Sequence, residues 1–302
     1  MQRSCNRGNE IDIKKIKSIV MKNETDIKEL VREKYSQIAS QSKIQNASSC
    51  CGATGCGDVY NIMADDYSKL DGYNPDADLG LGCGLPTEFA KIKTGDTVVD
   101  LGSGAGNDAF IARRIVGERG RVIGIDITEK MIELAKNNAD KLGYKNVEFR
   151  HGDIDSMPLF SNKADVVVSN CVLNLVPNKH KVFSEIFRIL KPGGHFSISD
   201  IVIEGDLPSK WREIAELYAG CVSGAIQKSE YFGIIEEAGF TNITLQKDKT
   251  IVIPDEILAE YLNKEEIDEY KKGKVRITST TVYADKPSKD ERKCCDPGSG
   301  CC

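Results

Sequence analysis

Short apolar runs alternate with amphipathic segments between about residues 85 and 203. The apolar runs, each of strand length, are "DTVVDLG" (96–102), "RVIGID" (121–126), "VEFRHGD" (147–153), "ADVVVSN" (164–170) and "HFSISDIVI" (195–203). Between them, residues 108–116 and 180–190 repeat apolar side chains at the three- and four-residue spacing of a helix. Strands that alternate with helices of this length predict a parallel, doubly wound α/β sheet.

Two of the predicted helices have a clear apolar face. Thr128 is placed to cap the second of them, and Gly143 is placed to end it. The residues expected on the two buried faces are Ile111, Ala112, Ile115 and Val116 on the first helix and Met131, Ala135, Ala139 and Leu142 on the second. We expect both faces to pack against the sheet.

Regions of different pattern flank this α/β unit. Residues 9–42 are charged and helical in pattern, and residues 43–57 are rich in Gly, Ser and Cys, which predicts a loop. Beyond the fifth apolar run, the segments expected to be helices are 208–220 and 227–238, and those expected to be strands are 241–247 and 276–285. The charged tail from Lys286 ends in "CCDPGSGCC" and predicts no regular structure.

Composition narrows the classes of function. The chain of 302 residues is 40% hydrophobic and 29% charged, as is usual for a globular protein, and its net charge of −5 disfavours a nucleic-acid partner. No apolar run reaches the roughly 18 residues that a membrane span requires, and the N-terminal segment has no apolar core of a signal peptide. We therefore expect a cytoplasmic protein, in which the 11 cysteines are thiols.

A glycine-rich turn follows the first predicted strand. In "VVDLGSGAGND", Gly102, Gly104 and Gly106 allow a tight turn and close approach by a ligand, and Asp126 follows 24 residues after the first glycine, where a carboxylate can hold ribose hydroxyls. Asp100 precedes the glycines by two residues. A carboxylate so close would repel the pyrophosphate of a dinucleotide but suits a cationic amine, which favours S-adenosylmethionine as the cofactor.

The third strand leads into "GDIDSMP", in which Asp153 can accept a hydrogen bond from an adenine amine and Ile154 can cover the ring. Together, "DLGSGAG", "GID", "GDIDSMP" and "RILKPGG" resemble the class I S-adenosylmethionine-dependent methyltransferases, whose fold is a Rossmann-like, mostly parallel sheet. The residues that the motifs and this resemblance place around the cofactor are Tyr35, Asp100, Gly102, Ser103, Gly104, Gly106, Asp126, Ile127, Met131, Asp153, Ile154 and Asn170.

Three cysteines lie in loop contexts that can converge above the carboxyl edge of the sheet. They are Cys83 in "LGLGCGLP", Cys171 in "SNCVLNLVP" and Cys221 in "YAGCVSGA". A lone buried cysteine is usually a small hydrophobe, but three around one cleft favour a ligand set for a soft acceptor. Trivalent arsenic binds three sulfurs and keeps a lone pair that can attack a sulfonium methyl group, with no proton to remove.

These cysteine contexts resemble the arsenite S-adenosylmethionine methyltransferases, from about Val31 to about Pro287. The resemblance implies that arsenite binds to the thiolates of Cys83, Cys171 and Cys221. It also implies a fourth catalytic thiol near the N-terminus, for which Cys51 or Cys50 is favoured over Cys56, and a thiol reductant of the thioredoxin or glutathione type as co-substrate or partner. Tyr35 would lie in a helix that folds over the cofactor.

Two other functions compete with this interpretation. One is a carbon methyltransferase that acts on a small apolar, quinone-like acceptor, because the same fold hosts many substrates. The other is a thiol-rich protein that binds metalloid without turnover, which intact cofactor motifs disfavour. The expected regions are an N-terminal helical arm with a Cys-rich loop (1–75), a cofactor-binding Rossmann-like domain (76–203), an arsenic-binding α+β extension (204–287) and a disordered Cys-rich tail (288–302).

Overall fold

The computed structural model of the chain describes residues 24–40, 65–206, 224–253, 255, 258–259, 262–272 and 275–288. Several expectations lie outside these ranges. They concern the loop over 43–57 with its three cysteines, the helix over 208–220, the thiol of Cys221, and the Cys-rich tail. The division of the chain into four regions stays a prediction.

Seven strands form one sheet in the order β3-β2-β1-β4-β5-β7-β6. The strands are β1 (Thr97–Leu101), β2 (Arg121–Asp126), β3 (Val147–His151), β4 (Ala164–Asn170), β5 (Leu190–Glu204), β6 (Thr241–Thr250) and β7 (Arg276–Asp285). The five strands from β3 to β5 are parallel, and β7 is antiparallel to both of its neighbours. The expected doubly wound, mostly parallel sheet is confirmed.

Helices cover the sheet because each connection between parallel strands must cross over it. The α-helices are α1 (Glu24–Ala39), α2 (Pro86–Phe89), α3 (Asn107–Val116), α4 (Glu129–Lys141), α5 (Lys179–Ile189), α6 (Lys228–Glu237) and α7 (Lys264–Lys271). Short 3₁₀ turns occupy Tyr67–Lys69 and Leu173–Leu175. One apolar core joins α5 and α6 to one sheet face, and a second joins α3 and α4 to the other.

The predicted helical faces are confirmed except at one residue each. Ile115 in α3 is 38% exposed, and Leu142, which follows the last residue of α4, is 39% exposed. The remaining members of both faces are buried. The prediction was wrong for these two because α3 turns Ile115 toward solvent at its last turn, and α4 ends before Leu142 can continue the stripe.

The segment "KPGG" (191–194) follows α5 and lies inside strand β5. α5 ends at Ile189 and β5 begins at once at Leu190, five residues earlier than expected, with a register shift against β4 between Ala164 and Val166. A Cβ atom on Gly194 would lie 2.8 Å from the carbonyl oxygen of Asp165, so glycine is needed for this approach. The chain therefore passes from α5 into β5 without an intervening loop.

The two C-terminal strands extend the same sheet. β7 pairs with β5 along ten residues, and β6 forms the outer edge. Because β7 runs antiparallel, its first residues, from Arg276 to Thr280, lie beside the carboxyl end of β5. Residues from this part of the chain are thereby brought to the edge of the sheet where the loops after β1 and β4 also end.

Gly224 is expected to be intolerant of a larger side chain. A Cβ atom there would lie 1.8 Å from the carbonyl oxygen of Asn174, and Lys179 Nζ donates to the Gly224 carbonyl at 2.7 Å. We expect Gly224→Ala to destabilise the protein by about 1–3 kcal/mol, because the backbone must shift to remove the overlap. Chemical denaturation measures the change.

Gly233 supplies the matched control for that substitution. It lies inside α6, and a Cβ atom there would have no heavy atom within 4 Å. Gly233→Ala is expected to stabilise the protein by roughly 0.5–1 kcal/mol, since alanine loses less backbone entropy in a helix. Equal behaviour of the two alanine variants would contradict the close approach at Gly224.

Candidate active site

A cleft opens above the carboxyl ends of β1, β2 and β4, with about 1080 Å³ of empty space including the solvent at its mouth. Among the residues predicted to bind the cofactor, those that line it are Tyr35, Asp100, Gly102, Ser103, Gly104, Asp126, Ile127, Met131, Asp153, Ile154 and Asn170. Ligands of open α/β sheets bind at this edge, so the location agrees with the fold.

The glycine loop explains why one predicted residue is missing from the lining. Gly102, Gly104 and Gly106 all have positive φ, at 65°, 50° and 101°. A Cβ atom on Gly106 would lie 2.7 Å from the ring of Phe110, so this glycine packs inward against the core. Gly106 lets the loop turn closely over Phe110, and its contact with the cofactor stays a prediction.

Asp126 organises the same loop from the end of β2. Its carboxylate accepts hydrogen bonds from the backbone N–H groups of Gly104 at 3.0 Å and Thr128 at 2.8 Å. Burial raises the pKa of Asp126, and these two hydrogen bonds oppose the rise. Each carboxylate oxygen keeps a second lone pair, so the side chain can still accept from a ligand hydroxyl.

Asp100 is a buried carboxylate with an unused oxygen. Burial, followed by the nearby carboxylates of Asp108 and Asp126, raises the pKa of Asp100 well above its usual range. The buried cleft oxygens that have no hydrogen-bond partner among the described residues include Asp100 Oδ2, Ser103 Oγ and Asn107 Oδ1. Three such acceptors around one cleft fit a ligand with ammonium and hydroxyl donors, as S-adenosylmethionine has.

Helix α1 closes one side of the cleft. Lys28 Nζ lies 2.7 Å from Asp153 Oδ2 and 2.6 Å from Asp155 Oδ2, and Val31 and Tyr35 line the cleft from the same helix. Burial raises the pKa of Asp153, but the hydrogen bond from Lys28 and the other interactions bring it below its usual value. Sequence reasoning missed Lys28, although its spacing of three and seven residues from Val31 and Tyr35 places all three on one helical face.

Cys83 and Cys171 meet at the cleft although 88 residues separate them. Their Cα atoms are 5.8 Å apart and the two sulfurs form a disulfide, whereas the sequence predicted free thiols. Their convergence on one site is as expected, and Cys171 itself lines the cleft. The fold brings the two side chains within bridging distance of each other. These sulfurs can therefore bind arsenic only after reduction to thiolates.

The surroundings of the pair are apolar. The buried cluster around the two sulfurs consists of Cys83, Cys171, Ile201, Ile203, Ala225, Ile251 and Ile277. Ala225 follows the predicted ligand Cys221 by four residues, and Lys179 and Asn174 contact the adjacent Gly224. Ala225 is thus packed in the same apolar cluster as the cysteine pair.

Cys171 has an unusual backbone conformation. Its φ is +58°, in the left-handed region, and its N–H donates to the Ser199 carbonyl at 2.8 Å. A non-glycine residue there costs of order 1–3 kcal/mol and persists only where the surrounding structure enforces it, as happens at functional sites. The strained position places the side chain at the cleft directly after β4.

A hydrogen-bond network behind the cleft was not predicted from the sequence. The Asn170 side chain accepts from the N–H groups of Cys83 at 2.9 Å and Gly84 at 3.2 Å, and it donates to the Gly84 carbonyl at 2.8 Å. Tyr67 and Asp108 contact the same amide. Asn170, predicted to bind the cofactor, therefore also holds the loop that carries Cys83.

Ser40 and Asp65, the described residues that flank segment 41–64, contact different parts of the fold. Ser40 Oγ is 3.2 Å from Lys130 Nζ on α4, beside the cofactor loops. Asp65 pairs with Lys247 at 2.7 Å and Lys249 at 3.2 Å on the edge strand β6. The predicted thiol Cys51 belongs to this segment and lies outside the described residues.

Within the described part of the chain, no helix combines the length and the apolar character needed to cross a membrane. A family model described as a methyltransferase domain matches residues 92–239. A curated relative, the arsenite methyltransferase of Halobacterium salinarum, is 37% identical over 284 residues, which cover 88% of this chain and 68% of the relative.

Two further comparisons bear on the choice between functions. The crystal structure of an arsenic(III) S-adenosylmethionine methyltransferase from Chlamydomonas reinhardtii is 33% identical with a TM-score of 0.58, covering 76% of this chain and 73% of that one. The demethylmenaquinone methyltransferase of Lactococcus lactis is 31% identical over only 163 residues, 53% of this chain and 63% of the relative. The likeness to the arsenic enzymes therefore extends over more of the chain.

Proposed function

The chain belongs to the arsenite methyltransferase family, and from that premise we propose that it transfers the methyl group of S-adenosylmethionine to trivalent arsenic held by cysteine thiolates. The observation that carries the proposal is the meeting of Cys83 and Cys171 at the wall of the cofactor cleft, with Cα atoms 5.8 Å apart. Thiolates are soft ligands, so they suit a soft metalloid better than they suit a carbon acceptor.

The residues of the cleft divide between the two substrates. Asp100 would bind the cationic amine of S-adenosylmethionine, Asp126 its ribose hydroxyls and Asp153 its adenine. Helix α1, with Tyr35, would cover it. When bound, S-adenosylmethionine supplies an electrophilic methyl group on a sulfonium. The thiolates of Cys83, Cys171 and Cys221 would hold arsenic so that its unshared electron pair faces that carbon.

This arrangement requires no general base. The new arsenic–carbon bond takes its electrons from the arsenic lone pair, and the electrons of the carbon–sulfur bond leave with the sulfur of the departing S-adenosylhomocysteine. No proton has to move, and none of the described residues that line the cleft is a histidine. The site therefore positions and desolvates the reacting atoms rather than removing a proton.

The disulfide between Cys83 and Cys171 makes a reductant part of the proposal. Two electrons from a thioredoxin- or glutathione-type thiol would convert it to the ligating thiolates, and Cys51 would exchange with it as the fourth catalytic thiol. A reducing compartment such as the cytoplasm would maintain the active form.

The test is turnover with defined components. Purified protein with arsenite, S-adenosylmethionine and excess thiol reductant is expected to form methylated arsenic and one S-adenosylhomocysteine per methyl group, and protein without reductant is expected to form neither. Arsenic speciation and S-adenosylhomocysteine are measured together. Bound arsenic without either product would indicate a sequestering protein. S-adenosylhomocysteine formed only with a quinone-like acceptor would indicate a carbon methyltransferase, which the extent of the likeness disfavours.

A further inference from the structure

A buried network joins the cofactor loop to the loop that carries Cys83. Asp108 is the second residue of α3, directly after the glycine turn, and it lines the cofactor cleft. Its Oδ2 lies 3.0 Å from the hydroxyl of Tyr67 and 3.3 Å from the side-chain nitrogen of Asn170. The Tyr67 hydroxyl is also 2.9 Å from the carbonyl oxygen of Gly84, the residue after Cys83.

Asn170 makes three of the network's hydrogen bonds to the cysteine loop, and Tyr67 makes one. Its amide oxygen accepts from the N–H groups of Cys83 and Gly84, and its amide nitrogen donates to the Gly84 carbonyl. One planar side chain thus fixes the peptide units on both sides of Gly84. A Cβ atom on Gly82 would lie 2.6 Å from the Asn170 nitrogen, so the loop is also in close steric contact with it.

Tyr67 and Asp108 determine how that amide is oriented. Since the Asn170 nitrogen has only donors and the Asp108 carboxylate only acceptors, the nitrogen must point toward Asp108, Tyr67 and the Gly84 carbonyl. The opposite orientation would place the amide oxygen against the carboxylate and turn the nitrogen toward the N–H groups of Cys83 and Gly84. The carboxylate therefore favours the same amide orientation that the N–H groups of Cys83 and Gly84 and the Gly84 carbonyl require.

Asp108 is costly for the fold, which favours a functional reason for its presence. It is buried, and its hydrogen-bond partners are the uncharged side chains of Tyr67, Asn170 and Thr87. Burial raises the pKa of Asp108 to about 6, and these hydrogen bonds hold it from rising further. A carboxylate buried among neutral partners destabilises a protein. Its presence therefore favours a role at a functional site.

We propose that Asp108 and Tyr67 are positioning residues for Cys83, acting through Asn170 to hold its sulfur in the geometry that binds arsenic. The proposal rests on the proposed function and adds two residues to that site. Binding constellations need their ligands held to within about 0.5 Å, and the partners that orient ligands commonly change metal affinity by about 10- to 100-fold. The same carboxylate lies on the cofactor side of the cleft, so it also ties the two binding sites together.

The experiment measures arsenite binding without cofactor. Fully reduced protein is dialysed against arsenite, and bound arsenic is quantified for the wild type, Tyr67→Phe and Asp108→Asn. Tyr67→Phe removes one oxygen and is expected to weaken arsenite binding by about 10- to 100-fold, and Asp108→Asn is expected to do the same because it no longer specifies the Asn170 orientation. Omitting S-adenosylmethionine keeps any direct contact of these residues with the cofactor out of the measurement.

Tyr283→Phe is the matched control. Tyr283 is also buried and its hydroxyl donates to a carboxylate oxygen of Asp285 at 2.7 Å, but it pairs with Ser197 in the middle of β5 and does not line the cleft. It is expected to lose stability like Tyr67→Phe and to bind arsenite as the wild type does. Thermal melts show whether each variant is folded. If Asp108→Asn does not fold, the arsenite affinity of Tyr67→Phe alone tests the positioning role.

The outcomes separate the two proposals. Failure of the reduced wild type to bind arsenite would overturn the proposed function. Binding by the wild type and equally by Tyr67→Phe would overturn only the positioning role. An equal loss in Tyr67→Phe and Tyr283→Phe would show a general effect of stability and would also overturn it.

Discussion

Replacement of Cys171 by serine is expected to abolish arsenite methylation while S-adenosylmethionine still binds. The hydroxyl is a hard ligand that stays protonated at neutral pH, so one of the proposed arsenic ligands is lost. Serine preserves the size of the side chain and the N–H bond from residue 171 to Ser199, which supports the strained backbone. Methylated arsenic is measured by speciation, and cofactor affinity by calorimetry.

Cys5→Ser is the control for that change, because Cys5 belongs to none of the three cysteine motifs. It is expected to turn over like the wild type. Normal turnover of Cys171→Ser would refute the thiolate site. Loss of cofactor binding together with activity would instead assign Cys171 to the structure of the cleft.

Replacement of Asp100 by asparagine is expected to weaken S-adenosylmethionine binding and to stabilise the free protein at neutral pH. Truncating one partner of a buried charge pair costs about 2–5 kcal/mol, which is roughly 30- to several-thousand-fold in affinity. The free protein should become more stable because burial and the carboxylates of Asp108 and Asp126 disfavour a negative charge on residue 100, and asparagine carries none.

The stability of Asp100→Asn is also expected to depend on pH less steeply than that of the wild type. Burial and the two neighbouring carboxylates raise the pKa of Asp100 well above its usual range, so the folded protein keeps a proton that the unfolded chain has lost. The contribution of Asp100 to the stability of the free wild type therefore falls as pH rises from about 4 through the raised pKa, because in that window this side chain binds more protons in the folded state. Asp100→Asn is expected to reduce this fall between pH 6 and pH 8, measured as the difference in melting temperature.

Asp71→Asn serves as the control for the carboxylate-to-amide change. Asp71 pairs with Arg114 on the surface, where its side chain is 76% exposed and such pairs contribute little. It should change neither cofactor affinity nor the pH dependence. A wild-type melting temperature that rises from pH 6 to pH 8, with no difference in Asp100→Asn, would contradict the buried-carboxylate explanation.

Local patterns were sufficient for most of the sheet. The runs at 121–126, 164–170 and 276–285 are strands with the predicted bounds, because continuous apolar or alternating residues can bury themselves only in a sheet of this kind. The glycine loop, Asp100 and Asp126 were also found from the sequence, since a close turn between strand and helix is a local requirement. Ile115 and Leu142 were misassigned because exposure at a helix end depends on what packs there.

The amino-acid sequence by itself determined the alternation of the five parallel strands with their helices and the position of the glycine loop, because spacing and side-chain chemistry are properties of short segments. Only the tertiary structure decided that Cys83 bonds to Cys171, that Lys28 reaches Asp153, and that Tyr67 and Asp108 orient Asn170. These contacts join residues tens of positions apart. Their geometry depends on how the whole sheet and its covering helices pack, and no local pattern encodes that distance.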